Sequence, residues 1–223
     1  MLVKTLTGHS LWVWSVAIAP DGKTLASSSW DRTIKIWSLE TNRELATLTG
    51  HSGGAGSVAI APDGKTLVSG SNDKTIKIWS LETNKELATL TGHSSDVYSV
   101  AIAPDGKTLV SGSGDDTINI WSLETKRELA TLTVHSEVVS ALSGFDGKTF
   151  SFWSVAIAPD GKTLVGGSYK TINIWSLETK RELATLTGHS GWVRSVAIAP
   201  DGKTLVSGSW DDTINIWQAG LSE

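Results

Sequence analysis

Five histidines, His9, His51, His93, His135 and His189, recur along the chain, each followed by a serine. Imidazoles at regular intervals could ligate a metal, and histidine with serine and aspartate could form a nucleophilic relay. Repetition points the other way. An active centre is made once, whereas the same residue types in four near-identical copies on turns and strands belong to a scaffold. Two pairs of adjacent acids, Asp115-Asp116 and Asp211-Asp212, offer the elements of general acid–base chemistry or of a surface cation site. Neighbours on a strand point to opposite faces, so neither pair is arranged to share a proton. Gly53, Gly54 and Gly56 follow no phosphate-loop spacing and precede no helical pattern. The absence of cysteine excludes a thiol nucleophile, a disulfide framework and a thiolate-held metal. No catalytic residue, metal ligand or cofactor is assigned.

The elements that carry these residues form a repeat. The string Ala-Pro-Asp-Gly-Lys-Thr-Leu starts at Ala19, Ala61, Ala103, Ala158 and Ala199. Ile-x-Ile-Trp ends at Trp37, Trp79, Trp121, Trp175 and Trp217. Five units account for nearly the whole chain, so one domain over 1–223 is expected. Each unit reads as four short strands, in the first unit 13–19, 23–29, 33–38 and 44–49. Pro-Asp-Gly supplies the first turn, because proline presets φ and glycine tolerates positive φ. Short, evenly spaced strands repeated at this period select an all-β propeller with one four-stranded blade per unit.

The 223 residues carry a net charge of −4, with 39% hydrophobic and 19% charged side chains. Mild acidity without a basic patch argues against nucleic acid as partner. The apolar runs fall far short of the ~20 residues that cross a bilayer. No secretory leader is read at the N-terminus, and a cytoplasmic setting is expected.

The His…Asp…Trp pattern at this period resembles the Trp-Asp repeat family of β-propellers, in particular its highly self-similar bacterial arrays. The resemblance covers essentially 1–217 and implies a binding platform rather than an enzyme. It implies a buried hydrogen-bonded tetrad in each of four units: His9, Asp31 and Trp37; His51, Asp73 and Trp79; His93, Asp115 and Trp121; His189, Asp211 and Trp217. The fourth member is Ser27 or Ser29, and equivalently Ser69 or Ser71, Ser111 or Ser113, Ser207 or Ser209. The family's Trp-Asp dipeptide is Trp-Ser here at Ser38, Ser80, Ser122 and Ser176, with little consequence expected at a strand end.

Residues 3–9 match 45–51, the end of a fourth strand, while the last unit stops after its third. The N-terminal strand is therefore expected to complete the last of five blades. Closure would turn each blade by about 72°, against about 51° in a seven-blade ring. A closed monomer is expected, with a ring of paired chains as the alternative.

Positions that differ between units fall at the start of the first strand and in the turn between the second and third. They include six of the 11 tryptophans. Trp12, Trp14, Trp30, Tyr98, Trp153, Trp192, Arg194 and Trp210 are the candidate partner-binding residues, since exposed aromatics with arginine make binding hot spots. An aromatic patch is expected where units one and five meet, beside a depression at unit two, with Arg194 and Asp212 on its rim. A protein or peptide partner is expected. A carbohydrate or small ligand stacking on tryptophan, or an array without an evolved function, are the alternatives.

The fourth unit is irregular. It carries an insertion at about 137–151, holds Phe145, Phe150 and Phe152, has Gly166 at the equivalent of Ser111, and lacks the turn aspartate at Tyr169-Lys170. The insertion reads as a duplication scar, or as an apolar flap or dimer contact. The fastest hydrogen exchange is expected over 134–175.

Overall fold

The computed structural model describes residues 2–133 and 151–218. His135, Phe145, Phe150 and most of the insertion lie outside the described residues. Among the described residues the chain is all-β. The first sheet holds β1 (Val13–Ile18), β2 (Thr24–Ser29), β3 (Ile34–Ser38) and β4 (Arg43–Leu48). The second holds β5 (Ala55–Ile60), β6 (Thr66–Ser71), β7 (Ile76–Ser80) and β8 (Lys85–Leu90). The third holds β9 (Val97–Ile102), β10 (Thr108–Ser113), β11 (Thr117–Ser122) and β12 (Arg127–Thr133). Then follow β13 (Ser154–Ile157), β14 (Thr163–Gly167), β15 (Tyr169–Ser176), β16 (Glu182–Ile198), β17 (Thr204–Ser209) and β18 (Ile214–Gln218). Every pairing is antiparallel between consecutive strands, so each unit is a blade-like meander.

The turns are built from side chains. Asp21 Oδ1 accepts from the amides of Lys23 (2.8 Å) and Thr24 (3.2 Å), and Gly22 sits at φ 68°. Only glycine adopts that conformation without Cβ strain. Asp63, Asp105 and Asp160 repeat the bond to the amide two residues on. Each serine that replaces the expected aspartate caps the next turn: Ser38 Oγ accepts from the Thr41 amide at 3.1 Å, and Ser80, Ser122 and Ser176 do likewise.

Consecutive blades pack face to face. Ile34, Ile36 and Leu48 on the trailing face of blade one meet Ala55, Val58, Leu67 and Trp79 on the leading face of blade two. The same slots meet between blades two and three, three and four, and four and five. A hydrogen bond repeats with them: the amides of Val58, Val100, Val155 and Val196 donate to Ser15, Ser57, Ser99 and Ser154 of the preceding blade.

Two features depart from expectation. First, residues 2–12 form no strand, and no strand lies outside β18 among the described residues. The last blade therefore has three strands, and the five blades form an open arc. Four copies of one tightly packed interface are made, and the faces at the two ends are not packed on one another. Val13, Val16 and Ile18 are left 53%, 60% and 63% exposed, and Ile214 and Ile216 are 73% and 70% exposed. Covering such a side chain fully contributes about 1.5–3 kcal/mol, so the open ends forgo appreciable stabilisation.

Second, β16 runs unbroken from the fourth strand of blade four into the first strand of blade five, giving a six-stranded sheet. The shortened turn of unit four is the cause. It lets β15 begin at Tyr169, which pairs with Trp192. Ile172, Trp175 and Phe152 are at most 2% exposed, so the described part of blade four is firmly packed.

Position within the arc should decide the cost of an identical change. Ile76→Ala, in the core, should destabilise by about 2–5 kcal/mol. Ile214→Ala, in the same slot of blade five, should cost under about 0.5 kcal/mol in dilute solution. Denaturant unfolding checks both. By the same reasoning hydrogen exchange should be faster in β18 than in β15, and the reverse order would contradict the open edge.

Candidate functional site

The histidines come first, because their geometry is that of a catalytic relay. His9 Nδ1 lies 2.9 Å from Asp31 Oδ2, and His9 Nε2 lies 2.8 Å from Ser27 Oγ. Trp37 Nε1 donates to the same Ser27 oxygen at 2.8 Å. Ser69, Ser111 and Ser207 hold the equivalent place beside His51, His93 and His189. They accept from Trp79, Trp121 and Trp217. With Nδ1–H donating to aspartate, a neutral imidazole accepts the serine proton at Nε2, and the serine oxygen takes the indole proton. Each donor thus has an acceptor. The four serines are at most 4% exposed, and each oxygen is already engaged. A hydroxyl sealed in this way meets no substrate.

Each aspartate is held by several donors. Burial pushes the Asp31, Asp73 and Asp115 carboxyls up, but bonds from threonine, the imidazole and a serine amide outweigh it. All three end below the ordinary value, Asp73 at about 2. At Asp211 the Thr213 hydroxyl is the largest cause of the same lowering. Burial lowers His51 against the pull of Asp73.

Blade four solves the problem differently. Phe152 lies edge-on to Trp175 at 5.7 Å and 69°. The other blades set histidine against tryptophan at 6.1–6.3 Å and 63–66°. A Cβ on Gly166 would come within 3.0 Å of the Phe152 ring and 2.6 Å of Ile118. Glycine stands in the serine slot because a phenyl ring occupies the space.

The sequence-variable residues converge at the arc's centre. Trp14, Gly56, Tyr98, Trp153 and Arg194 hold one slot of the repeat, and all five line a single cavity of about 380 Å³ with Trp30, Asn72 and Asp96. Tyr98 stacks on Trp153 at 4.0 Å and 15°. The Arg194 guanidinium lies 3.7 Å above the Trp153 ring and 4.6 Å from Trp210. Arg194 is therefore inside the aromatic cluster rather than on its rim, while Asp212 is exposed and does not line the cavity. Trp192 packs against Trp153 and Tyr169.

The tryptophans expected to form the patch of units one and five fall into two groups, while Trp14, Trp30, Trp153 and Arg194 line the same cavity. Trp14 and Trp30 pair at 5.7 Å on blade one, and Trp153, Trp192 and Trp210 cluster on blades four and five. Trp12 is 75% exposed and lines no part of the cavity.

Asn72 and Asp96 are the lining residues missing from the candidate set. Asn72 Nδ2 donates to Asp96 Oδ2 at 2.7 Å across two blades, and only their place in the variable slots signalled them. Burial raises the Asp96 carboxyl, and burial with the Asp96 charge raises the Tyr98 phenol. Trp153 Nε1 is buried with no acceptor among the described residues, a polar group that a packed core would satisfy. A larger cavity of about 440 Å³ lies between blades four and five, lined by Ile174, Leu186, Ile198 and Ile216. It lies beside the open edge, with Asp160, Thr163, Lys203, Thr204 and Gln218 also in its lining. Among the described residues no group of three acidic or histidine side chains is placed to hold a metal.

A run of tetrad-bearing four-stranded sheets around a variable centre defines a repeat-built β scaffold. The family model for the WD domain, G-beta repeat, matches residues 1–38, 42–80, 84–122, 142–176 and 180–218, and the chain belongs to this WD40 family. Its members typically serve as protein-interaction scaffolds and are generally non-catalytic. Curated relatives include the pre-mRNA-splicing factor prp46 of Emericella nidulans, 48% identical over 40 residues. The small ribosomal subunit protein RACK1 of Candida albicans is 50% identical over 38 residues. The probable cytosolic iron-sulfur protein assembly protein Ciao1 of Anopheles gambiae is 48% identical over 46 residues. These alignments span 17–20% of this chain and 9–14% of each relative, about one repeat.

Acid should weaken the fold through the tetrads. The folded aspartates bind fewer protons than unfolded ones, whose ordinary value is 3.8. Their stabilisation is therefore present above that value and lost as pH falls towards about 2. His51, held below 6.5, adds a loss of the same sign that begins as pH drops below its ordinary value. Unfolding midpoints measured from neutral to acid pH should fall steadily, and Asp73→Asn should flatten the profile. A pH-independent midpoint would contradict this account. Gly166→Ser should also destabilise, by about 1–3 kcal/mol, because the new side chain meets Phe152.

Proposed function

We propose that the chain is a non-catalytic platform that captures a protein or peptide segment in the central aromatic cavity. One observation carries this reading. A single repeat slot delivers a different side chain from each blade, Trp14, Gly56, Tyr98, Trp153 and Arg194, into one cavity, while the tetrads around it stay the same. The cavity offers what a peptide needs. Trp14 and Trp30 present indole faces 44% and 39% exposed, Asn72 and Asp96 present hydrogen-bonding groups, and Arg194 carries a positive charge. Gly56 leaves room on one side. Binding to such a preformed surface requires little rearrangement.

A second reading is a carbohydrate or other small ligand. Flat indoles beside an amide and a carboxylate supply the stacking and hydrogen bonds that a sugar ring uses.

Peptide and glycan arrays probed with the wild-type chain and with a Trp30→Ala/Arg194→Ala variant separate these readings. Peptides bound by the first and lost by about tenfold or more in the second support the platform. Glycans showing that pattern support the second reading. Ligands bound equally by both proteins remove the cavity from either role.

A further inference from the structure

Each interior interface has the same two halves, and the chain carries one spare half at each end. The trailing slots filled by Ile34 and Ile36, Ile76 and Ile78, or Ile118 and Ile120 are 0–3% exposed, whereas Ile214 and Ile216 are 73% and 70% exposed. The leading slot filled by Val58, Val100, Val155 or Val196 is 6–8% exposed, whereas Val16 is 60% exposed. The repeating serine-to-valine-amide bond ends in the same way. Among the described residues the bond is made at the four interior steps only, and neither Ser195 of blade five nor the Val16 amide of blade one takes part in a fifth. Residues 3–7 read as a fourth strand yet form none, while β18 has no outer neighbour among the described residues.

We propose that this chain self-associates head to tail. The trailing face of blade five docks on the leading face of blade one in a second copy, and residues 3–7 of that copy add to β18 as its fourth strand. The contact is heterologous, joining two different patches, and the strand addition supplies main-chain hydrogen bonds to an open edge. The pairing of Ile34 with Leu48 and Ile36 with Ala46 carries over as Ile214 with Leu6 and Ile216 with Lys4. A second copy fits better than closure within the chain. Closing five blades needs about 72° per step, and the four interfaces already made leave the ends apart. A second copy covers the trailing face of one chain with the leading face of the other and disturbs none of the four. Lys4 stands where Ala46, Ala88, Ala130 and Ala184 stand in the other fourth strands. Its ammonium must reach water along the seam, which makes the contact weaker than the interior ones and reversible.

Sedimentation velocity over a dilution series tests the proposal on the 223-residue chain. Two double variants are compared, Ile214→Glu/Ile216→Glu and Val16→Glu/Ile18→Glu. Both change side chains exposed in the single copy, and circular dichroism and the melting temperature verify that each still folds. The wild type should associate with rising concentration, and each variant alone should stay monomeric. Their equimolar mixture should form a one-to-one pair, because one partner keeps a leading face and the other a trailing face. Lys4→Ala should lower the concentration of half-association by about tenfold. A wild type monomeric throughout, association that survives both variants, or a mixture that does not pair would each overturn it. Monomers whose melting temperature falls in both variants would point instead to closure within the chain.

Discussion

One serine hydroxyl per blade holds most of this structure in place. In four blades it accepts a hydrogen bond from an indole N–H and donates one to an imidazole nitrogen. The imidazole in turn is fixed by an aspartate that also ties down the next turn and the serine amide in the segment leading into the first strand. Remove that hydroxyl and a buried indole N–H, an imidazole nitrogen and a carboxylate lose their shared arrangement together. The strand ends, the turn and the face of the tryptophan that packs on the preceding blade all follow from it. The fold spends chemistry that elsewhere cleaves bonds on holding a strand at a fixed angle.

Because every blade is locked by the same local network, every blade meets its neighbour in the same way. Uniform interfaces leave few places where sequence can vary without cost. The slot facing the centre is one, since its residues line the cavity and belong to neither the tetrads nor the buried aliphatic clusters. Diversity collects there for a structural reason, and the cavity it lines is shaped by residues from five blades at once. Blade four shows how far the lock itself can change. Phe152 replaces the polar edge with an apolar one of similar geometry, and Gly166 vacates the volume that the ring needs.

The fold was legible because its determinants are local: a turn aspartate, a proline, a glycine and a tryptophan recur at fixed distances within each unit. The tetrad residues were legible for the same reason, once the resemblance supplied their roles. What the sequence withheld depends on relations between units. Whether the ends meet is set by four interface angles added together, and no single residue reports that sum. Asn72 and Asp96 come from different blades and become partners only when the blades are stacked. Arg194 looked like a rim charge, and the aromatic surfaces that flank it come from blades four and five together. Phe152 looked like the end of an insertion, because the inserted residues hide its register with Val97 and Val193.

The unbroken β16 gives the arc an uneven mechanical character. Blades one to four are joined by packed side chains and a serine-to-amide bond at each step, with Asn72–Asp96 added between blades two and three and a Phe152-to-Ser113 backbone bond between blades three and four. Blades four and five share one backbone ladder, and bending there would break main-chain hydrogen bonds. In a linear array where each unit senses only its neighbours, such a rivet merges two units into one. Bending of the scaffold would therefore fall to the joints nearer the N-terminus, on the side of the cavity that Trp14 and Trp30 line.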